Sequence, residues 1–169
     1  MPSRVIELLS SGDFEPSAAE ADRAAFDQAS GGNGEVLVLL TALAPEGAEV
    51  MAREGKRALA HFAGLDQAAQ LAGLLTRQDA FRSDLAAAAQ AATMIFLAGG
   101  QPAYLASTLI DTPFWAAVLT ASERGAAVSG CSAGMWALGE LAPVSTITDL
   151  ADQAWVPGHD EKSLYLRPF

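Results

Sequence analysis

The chain has 169 residues and a formal net charge of −10, since 20 Asp and Glu residues outnumber 10 Lys and Arg residues. Hydrophobic residues make up 51% of it and charged residues 18%, which excludes an intrinsically disordered protein. The length suits one domain over residues 1–169. An acidic surface repels the phosphate backbone, so we expect no nucleic-acid partner.

Cys131 is the single cysteine, so an intrachain disulfide is excluded and a reducing compartment is favoured. The first apolar run, residues 5–9, is too short for a signal-peptide core or a membrane span. We therefore expect a cytoplasmic protein that does not bind membranes. One cysteine and two scattered histidines do not form a metal-ligand set, and we expect neither a metal nor another cofactor.

Five short apolar runs predict β-strands. Continuous apolar runs, without polar residues in alternation, are typical of strands that are buried on both faces of a parallel sheet. The alanine-rich segments between them predict helices, so strand and helix alternate along the chain. This order predicts an α/β fold, a three-layer α/β/α sandwich with a mostly parallel central sheet. The predicted strands are residues 5–9, 35–41, 71–76, 93–98 and 126–129.

The predicted helices have recognisable starts. Ser17 and Glu20 have capping-box spacing ahead of a helix to residue 29. Pro45 suits the first turn of a helix to residue 62, and Asp79 suits the cap of a helix to residue 91. Thr112, followed by proline, predicts the N-cap of a helix that ends near residue 124.

The segment Gly130-Cys131-Ser132-Ala133-Gly134 matches the pattern G-x-S-x-G between a predicted strand and a predicted helix over residues 135–138. This is the context of a nucleophile elbow, a sharp turn that pushes a reactive serine into the cleft. The two glycines prevent a collision across the turn. The alternative is an ordinary strand–helix turn in which Ser132 caps the helix. Cys131 lies one position before the apex and is expected to be a buried structural thiol.

A second glycine pair follows the fourth predicted strand, in Gly99-Gly100-Gln101-Pro102. Paired glycines at a strand end let the backbone approach a ligand and present its N–H groups. Gly100 is thus the candidate for a second oxyanion donor, against the alternative of a plain turn. The chain has no G-x-G-x-x-G and no P-loop pattern at a strand end, which disfavours nucleotide binding.

Together these segments resemble the peptidase S51 family, which includes the aspartyl dipeptidases (peptidase E) and the cyanophycinases. The resemblance rests on residues 11–14, 96–101, 111–113 and 125–134. It implies a class I glutamine-amidotransferase-like fold. It also implies that Ser132 is the nucleophile and that Gly100 and Ala133 donate oxyanion-hole N–H groups, with Gly99 and Gln101 in the same substrate-binding loop. Pro102 departs from the family pattern.

The general base is where the sequence departs most from the family. A serine nucleophile needs a base, usually a histidine that a carboxylate orients. His61 is expected on the surface of a helix. His159 follows the serine in the right order, although its neighbours do not match the family motif. Two explanations stay open: a truncated form that lacks the true histidine, or His159 as the base.

The third member of a catalytic triad is equally open. If His159 is the base, Asp149 or Asp160 is the candidate to orient it, and Glu140 is a further candidate for the third position. The sequence does not choose among these carboxylates.

The resemblance implies a serine peptidase that cleaves short Asp-containing peptides, most simply a dipeptidase, through an acyl-enzyme on Ser132. Arg77 follows the third predicted strand and could bind an acidic substrate side chain, although an ordinary surface arginine is the simpler interpretation. The alternative function is a catalytically impaired relative that binds a small ligand or a partner. The sequence leaves the oligomeric state open, a homodimer included.

Overall fold

The structure is a computed structural model, and it describes residues 4–139. Its sheet has five strands in the order β1-β5-β4-β2-β3, and every pair of neighbours is parallel. This confirms the predicted α/β fold. The strands are β1 (Val5–Leu9), β2 (Glu35–Leu39), β3 (Ala68–Leu71), β4 (Met94–Leu97) and β5 (Ala127–Cys131).

Six α-helices of the described residues connect and cover these strands. The chain also has two short 3₁₀ turns among these residues. One, Thr41–Glu46, follows β2, and the other, Asp79–Phe81, precedes the third helix. No helix of residues 4–139 is both long and apolar enough to cross a membrane. The helices are α1 (Ala19–Gln28), α2 (Ala48–Gly64), α3 (Ser83–Ala91), α4 (Pro102–Leu109), α5 (Pro113–Glu123) and α6 (Ala133–Leu138).

The three central strands, β2, β4 and β5, are buried on both faces, and successive side chains of a strand point to opposite sides. On the first face, Val128 of β5 belongs to a large apolar cluster with helices α3 to α6. On the second face, Ala127 and Cys131 of the same strand belong to a cluster with α1, α2 and Phe14. We call these the α3–α6 face and the α1–α2 face. The carboxyl ends of all five strands meet at one edge, where ligands bind in such sheets.

The third strand was predicted wrongly. It spans Ala68–Leu71, whereas the apolar run predicted residues 71–76. Ala72 donates the last ladder bond to Val38 O at 2.9 Å, and Gly73 then turns the chain with φ +63°. Leu74 is buried in the core although it lies outside the strand. A loop that buries its side chains therefore produced the apolar signal of a strand.

The helix starts gave mixed outcomes. Thr112 is the N-cap of α5 as predicted, and its hydroxyl accepts the Trp115 N–H at 3.3 Å. The capping box is wrong, because α1 begins after Ala18 and has no side-chain cap. Pro45 lies in a 3₁₀ turn, and α2 begins only after Gly47.

Two further details differ from the sequence prediction. Asp79 does not cap α3, since its carboxylate accepts the N–H groups of Leu75 and Thr76 at 3.1 and 2.8 Å. Helix α4 was not predicted, although Pro102 occupies its first turn, where proline is favoured. The missing prediction reflects a helix that is apolar on most sides and so lacks amphipathic periodicity.

Candidate active site

Ser132 lies at the apex of a strained turn between β5 and α6. Its backbone has φ +50° and ψ −111°, a combination that non-glycine residues rarely adopt. Its N–H donates to Leu9 O at 2.9 Å, and its carbonyl accepts the Trp136 N–H at 3.1 Å. These bonds hold the apex at the carboxyl ends of β1 and β5. The geometry is that of the predicted nucleophile elbow.

The two glycines of the pattern are required by close packing across this turn. A Cβ atom at Gly130 would lie 2.6 Å from the carbonyl carbon of Gly134. A Cβ atom at Gly134 would collide with the carbonyl group of Leu97 at the end of β4. The elbow is therefore pressed against the neighbouring strand, and both positions exclude any larger residue.

The alternative interpretation of Ser132 as a helix cap finds no support in the geometry. Ser132 stands at the N-cap position of α6, but its side chain makes no capping hydrogen bond. The residue is only partly buried. Its hydroxyl is therefore available for another role at the edge of the sheet.

The Gly99-Gly100-Gln101 loop follows β4 and lies directly beside the elbow. A Cβ atom at Gly99 would lie 3.2 Å from the Cβ of Ser132. Gly100 has φ +134°, and a Cβ atom there would lie 2.5 Å from the carbonyl carbon of Ala42. Gln101 donates its N–H to Ala42 O at 2.8 Å. The structure thus brings the predicted loop and the predicted nucleophile together.

Two backbone N–H groups beside Ser132 make no hydrogen bond within residues 4–139. One is the N–H of Gly100. The other is that of Ala133, the first residue of α6, where an N–H group has no acceptor inside the helix. Both groups were predicted as oxyanion donors, and no acceptor in the described part of the chain occupies either of them.

Asp13 is a site residue that the sequence analysis missed. It lies in the loop after β1, and its Oδ2 accepts the Gly99 N–H. A Cβ atom at Gly99 would lie 2.9 Å from Asp13 Oδ2 on the side where Ser132 also approaches. The available signal was its place in the loop that follows the first predicted strand, at the same edge as the other two loops.

Cys131 is a buried thiol, as predicted. It is fully buried and free, and its side chain lies on the α1–α2 face. Burial raises the pKa of the thiol, and the nearby Asp13 carboxylate raises it further. The thiol therefore stays protonated, which excludes it as a nucleophile near neutral pH because only the thiolate reacts.

Two solved structures of peptidases resemble this chain. A peptidase from an acI-B1 actinobacterium matches with a TM-score of 0.80 and 26% identity, over 85% of this chain and 60% of that chain. A protein assigned as a peptidase E of Listeria monocytogenes EGD-e matches with a TM-score of 0.59 and 17% identity, over 90% of this chain and 71% of that chain. The chain has the fold of these peptidases.

This match agrees with the resemblance to the peptidase S51 family. The chain spans less than two thirds of the length of the actinobacterial peptidase, since the match covers 60% of that protein. No protein-family model and no curated protein sequence matches the chain.

His61 does not lie on a helix surface, so that prediction was wrong. Its side chain is 6% exposed, and its Nε2 lies 2.7 Å from Oδ2 of the fully buried Asp22. Burial lowers the pKa of the imidazole, which favours the neutral ring. The ring also packs edge-on against Phe62 with centroids 5.1 Å apart. His61 is therefore a structural residue of the α1–α2 face.

Glu7, on β1, lies close to the His61–Asp22 pair. It faces Ser129 on the neighbouring strand, and Asp22 lies close by. Neither Glu7 carboxylate oxygen makes a well-formed hydrogen bond to the described residues. Burial raises the pKa of Glu7 to about 7 and that of Asp22 to about 6. We call Glu7, Asp22, His61 and Ser129 the buried polar cluster.

Several predicted residues lie outside the described part of the chain: Glu140, Asp149, His159 and Asp160.

Arg77 lies within the described part, and its Nη1 donates to the carbonyl groups of Ser107 and Ile110 at 2.8 and 2.7 Å. Arg77 thus binds the C-terminal end of α4, a structural role. Residues 4–139 contain no group of three or more His, Cys, Asp or Glu side chains placed to hold a metal.

Proposed function

We propose that the protein is a serine hydrolase of the peptidase S51 type that cleaves short peptides. The observation that carries this proposal is Ser132, a residue with φ +50° at an elbow whose hydroxyl caps nothing. Non-glycine residues in such conformations cost about 1–3 kcal/mol and cluster at functional sites. The fold likeness to two peptidases supports the same class of reaction.

The chemistry follows the order of acyl transfer. Ser132 Oγ attacks the scissile carbonyl carbon, and the carbonyl oxygen takes up negative charge. The N–H groups of Gly100 and Ala133 donate to that oxygen. Removal of one such donor typically lowers kcat about 10²–10³-fold. The amine leaves with a proton, an acyl-enzyme ester on Ser132 forms, and water then releases the acid.

The base that takes the Ser132 proton is proposed to be a histidine. Within this sequence the candidate is His159, with Asp149 or Asp160 to orient it. His61 is not proposed for this role, because its side chain is only 6% exposed and lies against Asp22 and Phe62 on the α1–α2 face. The proposal therefore includes a residue outside the described range.

For the substrate we propose dipeptides and other short peptides that contain aspartate. This preference rests on the family resemblance. Arg77 adds no support to it, because its guanidinium binds backbone carbonyls of α4. The loops after β1, β4 and β5 meet beside Ser132, so a short peptide bound there would contact all three.

A fluorophosphonate probe tests the proposal, because it forms a covalent adduct only with an activated serine. We expect the full chain to gain one adduct, found by mass spectrometry on the peptide that contains Ser132. The variant Ser132→Ala should show no adduct. A panel of Asp-Xaa, Glu-Xaa and Ala-Xaa dipeptides then measures the substrate preference.

Cys131→Ser is the matched control, because it changes the neighbouring residue of the same elbow. We expect this variant to be labelled like the wild type, since the Cys131 thiol is buried and protonated. Absence of labelling in the wild-type chain would overturn the hydrolase assignment and favour a ligand-binding relative.

A further inference from the structure

The loop after β1 brings a carboxylate into the active site. Asp13 lies beside both Gly99 and Ser132, and its Oδ2 takes the Gly99 N–H. Hydrogen bonds to a charged acceptor are roughly twice as strong as neutral ones. The two glycines of the β4 loop can adopt many backbone conformations, so a hydrogen bond from outside the loop strongly limits the conformations of that backbone.

This carboxylate is itself held in place from several sides. The next residue, Phe14, is 7% exposed and adopts φ +59°. Its ring packs against Phe96 and Phe62, with centroids 5.2 and 6.3 Å apart. Arg57 of α2 donates to the Asp13 carbonyl oxygen at 3.2 Å. The aromatic anchor at Phe14 and the Arg57 bond to the Asp13 carbonyl oxygen both hold the backbone that bears the carboxylate.

Cys131, next to the apex of the elbow, is a buried neighbour of this carboxylate. Its side chain lies on the α1–α2 face together with Phe14. Burial raises the pKa of the thiol, and the nearby Asp13 carboxylate raises it further. The hydrogen bond that holds the Asp13 carboxylate is the one from the Gly99 N–H.

We propose that Asp13 is the positioning residue of the oxyanion loop. By accepting the Gly99 N–H it fixes the backbone of the Gly99–Gly100 pair, so that the next N–H, that of Gly100, stays free for the substrate oxygen. This inference rests on the proposed function, because the loop needs this role only if Ser132 is acylated. Asp13 acts through the loop and does not itself react.

Two substitutions separate the hydrogen bond from the charge. Asp13→Asn keeps an oxygen acceptor for the Gly99 N–H and removes the charge, whereas Asp13→Ala removes both. We expect Asp13→Ala to slow fluorophosphonate labelling of Ser132 about 10- to 100-fold. Asp13→Asn should stay within about threefold of the wild-type rate, since a neutral acceptor preserves the contact.

Asp79→Ala is the matched control. Asp79 also accepts backbone N–H groups at this edge of the sheet, but in the loop after β3. Its substitution should leave the labelling rate unchanged. Thermal unfolding of each variant shows that the fold is retained. A wild-type rate for Asp13→Ala would overturn the proposal, as would an equal loss in both Asp13 variants, which would assign the effect to charge.

Amide hydrogen exchange tests the positioning role without chemistry at Ser132. We expect exchange at Gly99 to rise at least tenfold in Asp13→Ala and to stay near the wild-type rate in Asp13→Asn. If the wild-type chain is not labelled, the proposed function fails, and exchange alone then decides whether Asp13 orders the loop. Unchanged exchange at Gly99 in Asp13→Ala would overturn that ordering role.

Discussion

The two faces of the central sheet are built from different kinds of side chain. The α3–α6 face is an apolar cluster of aliphatic and aromatic residues between the sheet and four helices. The α1–α2 face also has an apolar cluster, but it includes the buried polar cluster around Asp22 and His61. Alternate residues of β5 thus face two environments that differ in polarity.

The two faces, which differ in polarity, also contribute different contacts to the elbow at Ser132. The α3–α6 face supplies steric closure, because Gly134 of α6 packs against the Leu97 carbonyl of β4. The α1–α2 face supplies a polar group, because Asp13, whose carbonyl oxygen accepts from Arg57 of α2, bonds to the Gly99 N–H. The turn at Ser132 is therefore held by close packing from one face and by hydrogen bonds from the other.

The largest effect is expected from truncation of a core aromatic residue on each face. Phe62 and Phe114 are both fully buried, on the α1–α2 and α3–α6 faces respectively. Their substitution by alanine should each lower the free energy of unfolding by about 3–5 kcal/mol, since it removes buried area and leaves a cavity. Urea denaturation measures this loss.

The same pair then distinguishes the two faces by activity. Phe62 packs against Phe14, the anchor of the loop that bears Asp13, whereas Phe114 lies in the other cluster. Measured well below both melting temperatures, labelling of Ser132 should be slower in Phe62→Ala than in Phe114→Ala. Equal rates would contradict the assignment of the polar contribution to the α1–α2 face.

Gly134→Ala probes the steric contribution of the α3–α6 face. The added methyl group meets the backbone of Leu97, which cannot move without breaking the β4–β5 ladder. We expect a loss of about 3 kcal/mol in unfolding free energy, at the upper end for overpacking.

Gly64→Ala serves as the control, since a Cβ atom at Gly64 has no neighbour within 4 Å. That variant should change stability by less than about 1 kcal/mol. A comparable loss in both variants would refute the steric explanation.

The smallest effect is a pH dependence from the α1–α2 face. The pKa of Glu7 rises from an ordinary value of 4.5 to about 7 in the folded protein, chiefly through burial. Between these values the unfolded chain releases its proton while the folded protein keeps it, so stability falls as the pH rises from about 4.5 to 7.

Glu7→Gln removes this titration. We expect the variant to be more stable than the wild type at pH 8, by on the order of 1 kcal/mol, and to lose that advantage below pH 5. Thermal or urea unfolding across this range gives the difference. If the unfolding free energies of the wild type and Glu7→Gln differ by the same amount at every pH, the buried charge is ruled out as the cause.

The parts of the fold that follow from local pattern were predicted well. Strands β2 and β4 were predicted because both faces of each are buried, which makes their sequences continuously apolar. Strand β3 lies at the sheet edge and is largely exposed, so its sequence carried no such signal. The buried loop residues Ala72 and Leu74 carried the signal in its place.

The local geometry of the candidate site was predicted where one segment contains all the residues of the pattern. The elbow of residues 130–134 is such a segment, and so is the glycine pair of residues 99 and 100. Asp13 was missed because its partner Gly99 is distant along the chain, and nothing local marks the pairing. His61 was placed wrongly for the same reason, since its partner Asp22 lies on another helix.

The elbow also has a consequence for the time order of folding. Its apex is closed by a bond from Ser132 to Leu9, at opposite ends of the described chain, and its glycine meets Leu97 of another strand. Contacts between distant residues form slowly, because loop closure costs entropy before the contact stabilises anything. Helices depend on local contacts, so they can form before the distant strands assemble. If Ser132 is the proposed nucleophile, its labelling requires that β1, β4 and β5 have all assembled, and labelling should recover during refolding later than the helical signal.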